Sequence, residues 1–231
     1  MYQFGVDEAG KGPVFGSMFA ATVCVENTGR LPDGIADSKR LSVRRREELA
    51  ATLRETDGIH VGVAEISTAR IDDPDTNMNG LAVAAHANAI EDAFGELGSD
   101  ELKDTDRDNS GDATVSGLCD ACDTDADRFA RRVGEACSLE ATIDARHGAD
   151  DDSDLVGAAS IIAKVERDAH VADLAAEFGE IGSGYPGDST TRAFLESYVE
   201  ETGELPPFAR KSWSTCTDVL AEASQTSLDG F

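Results

Sequence analysis

Apolar positions along this chain change their spacing several times, and each change marks an element. Tyr2, Phe4 and Val6 alternate with smaller or polar residues, the period-2 pattern of a strand, and the apolar run Val14 to Val25 predicts a second one. Ser42 stands as an N-cap before a helical pattern through Leu49 and Leu53. Ile59 to Ile66 predicts a third strand, with Val61 and Val63 alternating. Ser67 caps a short helix that Pro74 stops, and Asn77 to Phe94 predicts a helix with Leu81, Ala84, Ala85 and Ala89 on one side. Thr114 to Cys119 predicts a fourth strand ending at Asp120, Asp127 to Cys137 a helix, and Leu139 to Asp144 a fifth strand. The longest helix is expected over Ala158 to Phe178, its stripe of Ile161, Val165, Ala169, Ala172 and Ala176 facing the core. After the turn Gly182-Ser183-Gly184-Tyr185-Pro186, Asp188 or Ser189 caps a further helix. Pro206-Pro207 breaks the chain before a last helix over Ser212 to Ala223.

This order of elements fits an α/β fold: a mixed five-stranded sheet with helices on both faces, then a C-terminal helical section over about 179–220. Residues 1–220 are expected to form one catalytic domain, without internal repeats. Gly95 to Ala113 breaks the pattern, being rich in Asp and Glu with almost no apolar residue, and predicts a flexible acidic insertion over about 95–113. Residues 221–231 are expected to be a flexible tail.

Charge changes the picture. The chain has 46 acidic and 20 basic residues, a formal net charge of −26, which repels polyanions in dilute buffer. At about 1 M salt the Debye length shrinks to about 3 Å and that repulsion loses its range. The acidity therefore predicts adaptation to a salt-saturated cytoplasm. No leader and no run of 18 apolar residues is present, so a cytoplasmic protein is expected. The five Cys have no framework spacing, which predicts reduced thiols, and Cys119-x-x-Cys122 has no second Cys or His pair to complete a zinc site.

Candidate chemistry begins at the end of the first strand. Two adjacent carboxylates, Asp7 and Glu8, repel one another and call for a cation, and Gly10 and Gly12 in the following loop allow close backbone approach to a ligand. Carboxylates beside a Gly-rich loop point to a divalent metal next to a phosphate. Two rivals fail on their own spacing. Asp123-x-Asp125-x-Asp127 has Arg128 and Gly134 where a calcium loop needs Gly and Glu, and Gly10-x-Gly12 has Phe15 where a dinucleotide loop needs its third Gly.

Six segments in order carry a resemblance. They are Asp7-Glu8-Ala9-Gly10-Lys11-Gly12-Pro13-Val14-Phe15-Gly16, Asp37-Ser38-Lys39-x-Leu41-Ser42, Cys119-Asp120-Ala121-Cys122-Asp123, Gly157-Ala158-Ala159-Ser160 through Asp168, Gly182-Ser183-Gly184-Tyr185-Pro186-x-Asp188, and Arg210-x-Ser212-Trp213. Together they resemble the type 2 ribonucleases H, of the archaeal ribonuclease HII kind, over about residues 1 to 217. The resemblance implies the ribonuclease H-like fold and an endoribonuclease. Its substrates are RNA–DNA hybrids and duplex DNA with embedded ribonucleotides, and its products a 3′-hydroxyl and a 5′-phosphate. It implies two-metal catalysis with Mg²⁺ or Mn²⁺ held by Asp7 as bridge and by Glu8, Asp120 and Asp150, the last chosen by its spacing from Ala158-Ala159-Ser160 among the neighbouring acids Asp151, Asp152 and Asp154. Gly10, Lys11 and Gly12, with Lys where the family usually has Arg, are expected to read the 2′-hydroxyl mainly through backbone atoms, and Tyr185 to stack on the next deoxyribose. Lys39, Lys164, Arg167 and Arg210 are candidate phosphate contacts. The four His, at 60, 86, 147 and 170, match no catalytic pattern and are taken as structural. Gln225-x-x-Leu228-x-x-Phe231 resembles the peptide that docks replication and repair proteins on the sliding clamp. A monomer without membrane association is expected. Two alternatives are a same-fold DNA nuclease and a non-catalytic clamp-associated nucleic-acid-binding module. The Gly loop with Tyr185 disfavours the first, and intact acids disfavour the second.

Overall fold

The structure is a computed structural model and describes residues 1–35, 41–95 and 115–229, the last four by backbone alone. Strands β1 (Tyr2–Ala9), β2 (Met18–Val25), β3 (Ile59–Ile66), β4 (Val115–Asp120) and β5 (Thr142–Arg146) form one five-stranded sheet in the order β3-β2-β1-β4-β5. The middle strand β1 runs antiparallel to β2 and parallel to β4, and β4 runs parallel to β5. The helices are α1 (Val43–Glu55), α2 (Thr68–Ile71), α3 (Met78–Gly95), α4 (Ala126–Ala136), α5 (Ala149–Asp152), α6 (Asp154–Phe178), α7 (Ser189–Thr202) and α8 (Ser214–Asp229). The chain divides into two compact units. One comprises Met1–Ala9, Phe19–Glu65 and Asn79–Glu166, and the other Gly10–Met18, Ile66–Met78 and Arg167–Phe231.

The first unit holds the sheet, and the alternation of β1 assigns its two faces. Phe4 packs edge-on against Phe94 of α3, with ring centroids 5.9 Å apart. Gly5 points the other way: a Cβ there would lie 2.3 Å from the Leu155 carbonyl carbon and the Val156 nitrogen of α6. β2 agrees, since Val23 and Ala21 pair with Gly5 and Asp7 and share one buried cluster with Leu49 and Leu53 of α1 and Ile161 and Ile162 of α6. Thus α1 and α6 cover one face and α3 the other, as the pattern predicts.

In the second unit, Phe15, Ile181, Leu195, Phe208 and Val219 form a separate core, in which the Phe15 and Phe208 rings stand 5.2 Å apart. Phe15 also bridges to Ala209 in strand fashion.

Several boundaries differ from the sequence pattern. β2 begins at Met18, not Val14, because Val14 and Phe15 join the second unit's core, where Val14 N–H donates to the Gly184 carbonyl at 2.7 Å. β5 lies at Thr142–Arg146, a few residues beyond its expected place, in parallel register with β4. α6 starts at Asp154, and α8 continues to Asp229 where a tail is expected. The stripe of α6 holds only in its first half. Ala169, Ala172 and Ala176 are exposed, and Val171, Leu174 and Phe178 pack on the second unit's core instead, because the larger side chains gain more by burial. The acidic insertion over 95–113 falls, apart from Gly95, outside the described residues.

The closeness of α6 to β1 makes Gly5 a stringent position. Gly5→Ala is expected to destabilise the protein by about 3 kcal/mol or more, since backbone and not a movable side chain blocks the methyl. Denaturant unfolding in KCl checks this, and an Ala variant within about 0.5 kcal/mol of the parent would contradict the packing.

Candidate active site

Successive residues of a strand point to opposite faces, so Asp7 and Glu8 at the end of β1 meet different helices. Asp7, 5% exposed, lies on the α6 face and receives hydrogen bonds from the Ser160 hydroxyl and, at 2.7 Å, from the Glu8 backbone N–H. Burial, then the charge of Glu8 and that of Asp120, pushes its carboxyl up to about 7, against those two hydrogen bonds. Glu8 lies on the α3 face, its Oε2 2.8 Å from Nε2 of His86.

Val6 pairs with Cys119 in the parallel β1–β4 ladder, so Asp7 and Asp120 come next on adjacent strands. Asp120 is half-buried, and its Oδ1 accepts a 2.9 Å hydrogen bond from Ala149 N–H at the start of α5. Burial raises its carboxyl, the Ala149 N–H opposes the rise, and the charges of Asp150 and Glu8 add to it. Asp150, on the same single turn, is 6% exposed. Asp7, Glu8 and Asp120 therefore act on one another at the ends of β1 and β4, and Asp150 acts on Asp120 from α5. Asp123 is not one of this set: Arg128 donates to it at 2.7 Å and holds its carboxyl below the usual range. Asp125 caps α4 by accepting from Arg128 N–H.

Among the described residues, no three His, Cys, Asp or Glu side chains are gathered closely enough to enclose a metal ion as they stand. The donor chemistry nonetheless fits a hard divalent cation. The set is all oxygen, mutually repelling and partly buried, and a cation compensates the charge that raises Asp7.

The second unit organises the loop Gly10–Gly16. Gly10 adopts φ of +87°, and a Cβ there would lie 3.0 Å from the Ser17 carbonyl oxygen. Arg210, expected to contact phosphate, is fully buried and donates to the carbonyls of Gly10, Lys11 and Gly16 at 2.5, 2.9 and 2.9 Å. One donor from each of its nitrogens serves the loop. Burial pulls its guanidinium down to about 10, and it stays charged at neutral pH. Trp213, beneath the same guanidinium at 5.0 Å, donates from Nε1 to the Gly12 carbonyl at 3.3 Å. Ser17 N–H donates to Nε2 of His170 at 3.2 Å.

Tyr185 is 42% exposed, with Arg167 stacked at 5.1 Å from its ring centroid. Arg167 also donates to the Ser183 carbonyl and pairs with Asp168, so it supports the Tyr185 turn. Tyr185 and Gly12 are near neighbours, since a Cβ on Gly12 would lie 3.7 Å from the ring. In the first unit, Lys164 donates to Ser160 Oγ at 2.7 Å, one hydrogen bond removed from Asp7. Lys39 and Phe231 lie outside the described residues; Gln225 is exposed on α8, and Leu228 lies on the same helix. His86, Ser160 and His170 bond to Glu8, Asp7 and the Ser17 backbone, contacts that the sequence pattern does not announce. The available signal for His86 was a lone imidazole inside an Ala-rich helix.

A family profile described as Ribonuclease HII matches residues 4–216. The chain is 54% identical over 229 residues to Ribonuclease HII of Haloarcula marismortui, a halophile, covering 99% of this chain and 100% of that one. Its fold is similar to the ribonuclease H2 of Pyrococcus horikoshii OT3, with a TM-score of 0.82 and 33% identity over 97% of this chain and 100% of that one. It is also similar to the Archaeoglobus fulgidus protein solved as a PCNA:RNase HII complex, with a TM-score of 0.76 and 32% identity over 94% and 96% of the two chains.

The raised carboxyl of Asp7 predicts a pH-dependent cost in metal-free protein. Below about pH 4 it is protonated both folded and unfolded, and stability is intact. Between about pH 4 and 7 the unfolded chain ionises first, so stability falls as pH rises, by an amount on the order of 3–4 kcal/mol. Asp7→Asn escapes this loss. In EDTA its stability advantage over the parent is expected to grow from pH 5 to pH 8, and parallel pH profiles in denaturant unfolding would contradict the buried-charge account.

Proposed function

This chain belongs to the ribonuclease HII family and is a ribonuclease H enzyme, and from that premise we propose that it cuts the RNA strand of RNA–DNA hybrids. On this reading it also nicks duplex DNA at embedded ribonucleotides, and each cut leaves a 3′-hydroxyl and a 5′-phosphate. The observation that carries the reading is a chain of interacting carboxylates: Asp7 and Glu8 at the end of β1 with Asp120 at the end of the adjacent parallel strand β4, and Asp150 on α5 acting on Asp120.

Asp7, Glu8, Asp120 and Asp150 would hold Mg²⁺ or Mn²⁺, with Asp7 at the centre of the set. When bound, such ions supply an activated water and stabilise the charge that develops at the cleaved phosphodiester. The chain's own groups prepare the ligands: the Ser160 hydroxyl and the Glu8 N–H orient the Asp7 carboxylate, and Ala149 N–H orients Asp120. Substrate selection belongs to Gly10-Lys11-Gly12 and Tyr185. Arg210 and Trp213 draw the loop's carbonyls inward and fix its backbone, and an exposed ring beside Gly12 provides a flat surface for a sugar. A 2′-hydroxyl, both donor and acceptor, is what such a backbone separates from deoxyribose.

A duplex with one ribonucleotide, incubated with Mg²⁺ or Mn²⁺ across a KCl series, tests this. The parent should cut it, and Asp7→Asn should lose at least about 100-fold, since a lost metal-site group costs on that order. Tyr185→Ala should lose more on the single-ribonucleotide duplex than on a long hybrid. Equal losses on both substrates would remove Tyr185 from ribose reading, and an active Asp7→Asn would remove the metal assignment.

A clamp is the proposed partner. The Archaeoglobus fulgidus relative was solved with PCNA, and here the sequence Gln225-x-x-Leu228-x-x-Phe231 has the spacing of a clamp-docking peptide. A peptide of residues 221–231 should bind the cognate clamp at micromolar strength, about −8 kcal/mol. Phe231→Ala should abolish binding, and truncation after Ser224 should spare cleavage of free oligonucleotides. No detectable binding in the enzyme's working salt overturns the assignment.

A further inference from the structure

His86 lies inside α3 with no solvent exposure, surrounded by Ala82, Ala85, Ala89 and Ile90 of the same helix. Its ring stands edge-on to Phe129 of α4, with centroids 5.1 Å apart and planes at 87°. Nε2 is 2.8 Å from Glu8 Oε2, and Nδ1 is buried without a hydrogen-bond partner among the described residues. An imidazole in this position is costly, since a buried polar atom left unpaired loses its hydration without regaining a hydrogen bond. An apolar side chain would satisfy the Ala-rich helix better. The orphaned Nδ1 is also informative. In the neutral ring one nitrogen carries the proton and the other a lone pair. A proton on Nδ1 would have no acceptor and would leave two lone-pair atoms, Nε2 and Oε2, facing each other. A proton on Nε2 makes the one hydrogen bond the site offers.

From these contacts we infer that His86 is a positioning residue for Glu8: its Nε2–H, aimed by the edge contact with Phe129, fixes the Glu8 carboxylate so that the acid is ready to ligate a divalent cation. This rests on the proposal that Glu8 is a metal ligand. The geometry is of the kind in which a group behind a ligand sets its orientation, and loss of such a group weakens metal binding about 10–100-fold.

Two requirements separate this role from packing, because they rank variants in opposite orders. His86→Phe keeps a ring against Phe129 but has no N–H, and His86→Gln keeps an N–H but loses the ring. Melting in EDTA should find His86→Phe at least as stable as His86→Gln. Mn²⁺ titration followed by electron paramagnetic resonance of the free ion should rank them the other way, with Gln within about 3-fold of the parent and Phe at least about 10-fold weaker. Metal affinity that follows stability, or equal affinity in all three proteins, overturns the inference. If Phe is not accommodated, His86→Met serves as the variant without an N–H. The parent and Asp7→Asn are titrated alongside: parent binding that Asp7→Asn does not weaken would refute the metal-site reading itself, whereas Asp7-dependent binding indifferent to residue 86 would refute only the role of His86.

Discussion

Everything in the first unit answers to one electrostatic constraint: two consecutive carboxylates at the end of the middle strand. Alternation forces Asp7 and Glu8 to opposite faces, so neither can use the other's partner. Each face must then supply its own polar group from the helix that covers it, Ser160 on α6 and His86 on α3. Burial raises the carboxyls of Asp7 and Asp120, and the remaining repulsion, from Glu8 and Asp120 on the first and from Asp150 and Glu8 on the second, raises them further. Gly5 belongs to the same solution. Two residues before Asp7 and on the same face, it lets the backbone of α6 come into contact with β1 and so brings Ser160 within reach.

The second unit solves a different problem, that of holding an irregular Gly-rich loop in one conformation. Loop carbonyls need partners as much as any others, and here a buried guanidinium serves three of them at once. Burying that charge is tolerable because each guanidinium nitrogen donates to a carbonyl oxygen and the Trp213 ring lies beneath the cation. A Lys could not replace this fork, having a single charged atom where Arg has a planar array of five donors. The invariably charged side chain of Arg210 thus acts as part of the loop's scaffold.

Local rules explain what was readable in the sequence. The Ser42 and Ser67 caps, the bounds of β3 and the strand-end positions of Asp7, Glu8 and Asp120 depend on a few neighbouring residues, and the structure has them in place. What escaped depends on partners far along the chain. Val14 and Phe15 look like the start of a strand, yet the Gly184 carbonyl and Phe208 claim them. Periodicity gives α6 a stripe of Ala169, Ala172 and Ala176 but carries no weighting by size, and Val171, Leu174 and Phe178 outcompete them for burial. Arg210 reads as a free cation because nothing within ten residues announces three carbonyls almost 200 positions away. His86 gives the same lesson in reverse: an isolated polar residue in an apolar helix is noticeable, but its partner 78 positions earlier is not.

Charge distribution ties the two units to the composition. A chain at −26 with only 20 basic residues has few cations with which to attract a polyanion, and several are occupied internally. Arg210 holds the loop, Arg167 supports Tyr185, Lys164 bonds Ser160 and Arg128 neutralises Asp123. In dilute solution this would be a poor arrangement, because nucleic-acid affinity normally draws on phosphate neutralisation and counterion release. In concentrated salt that contribution is largely lost to any protein, whatever its surface charge. What keeps its strength there is short-ranged: backbone hydrogen bonds, stacking on a ring, and oxygen ligands at a metal. A fixed Gly loop, an exposed Tyr185 and a set of partly buried carboxylates offer groups of this short-ranged kind. Internal use of the cations is then no sacrifice of affinity, since rigid placement of those short-range groups is what the high-salt condition rewards.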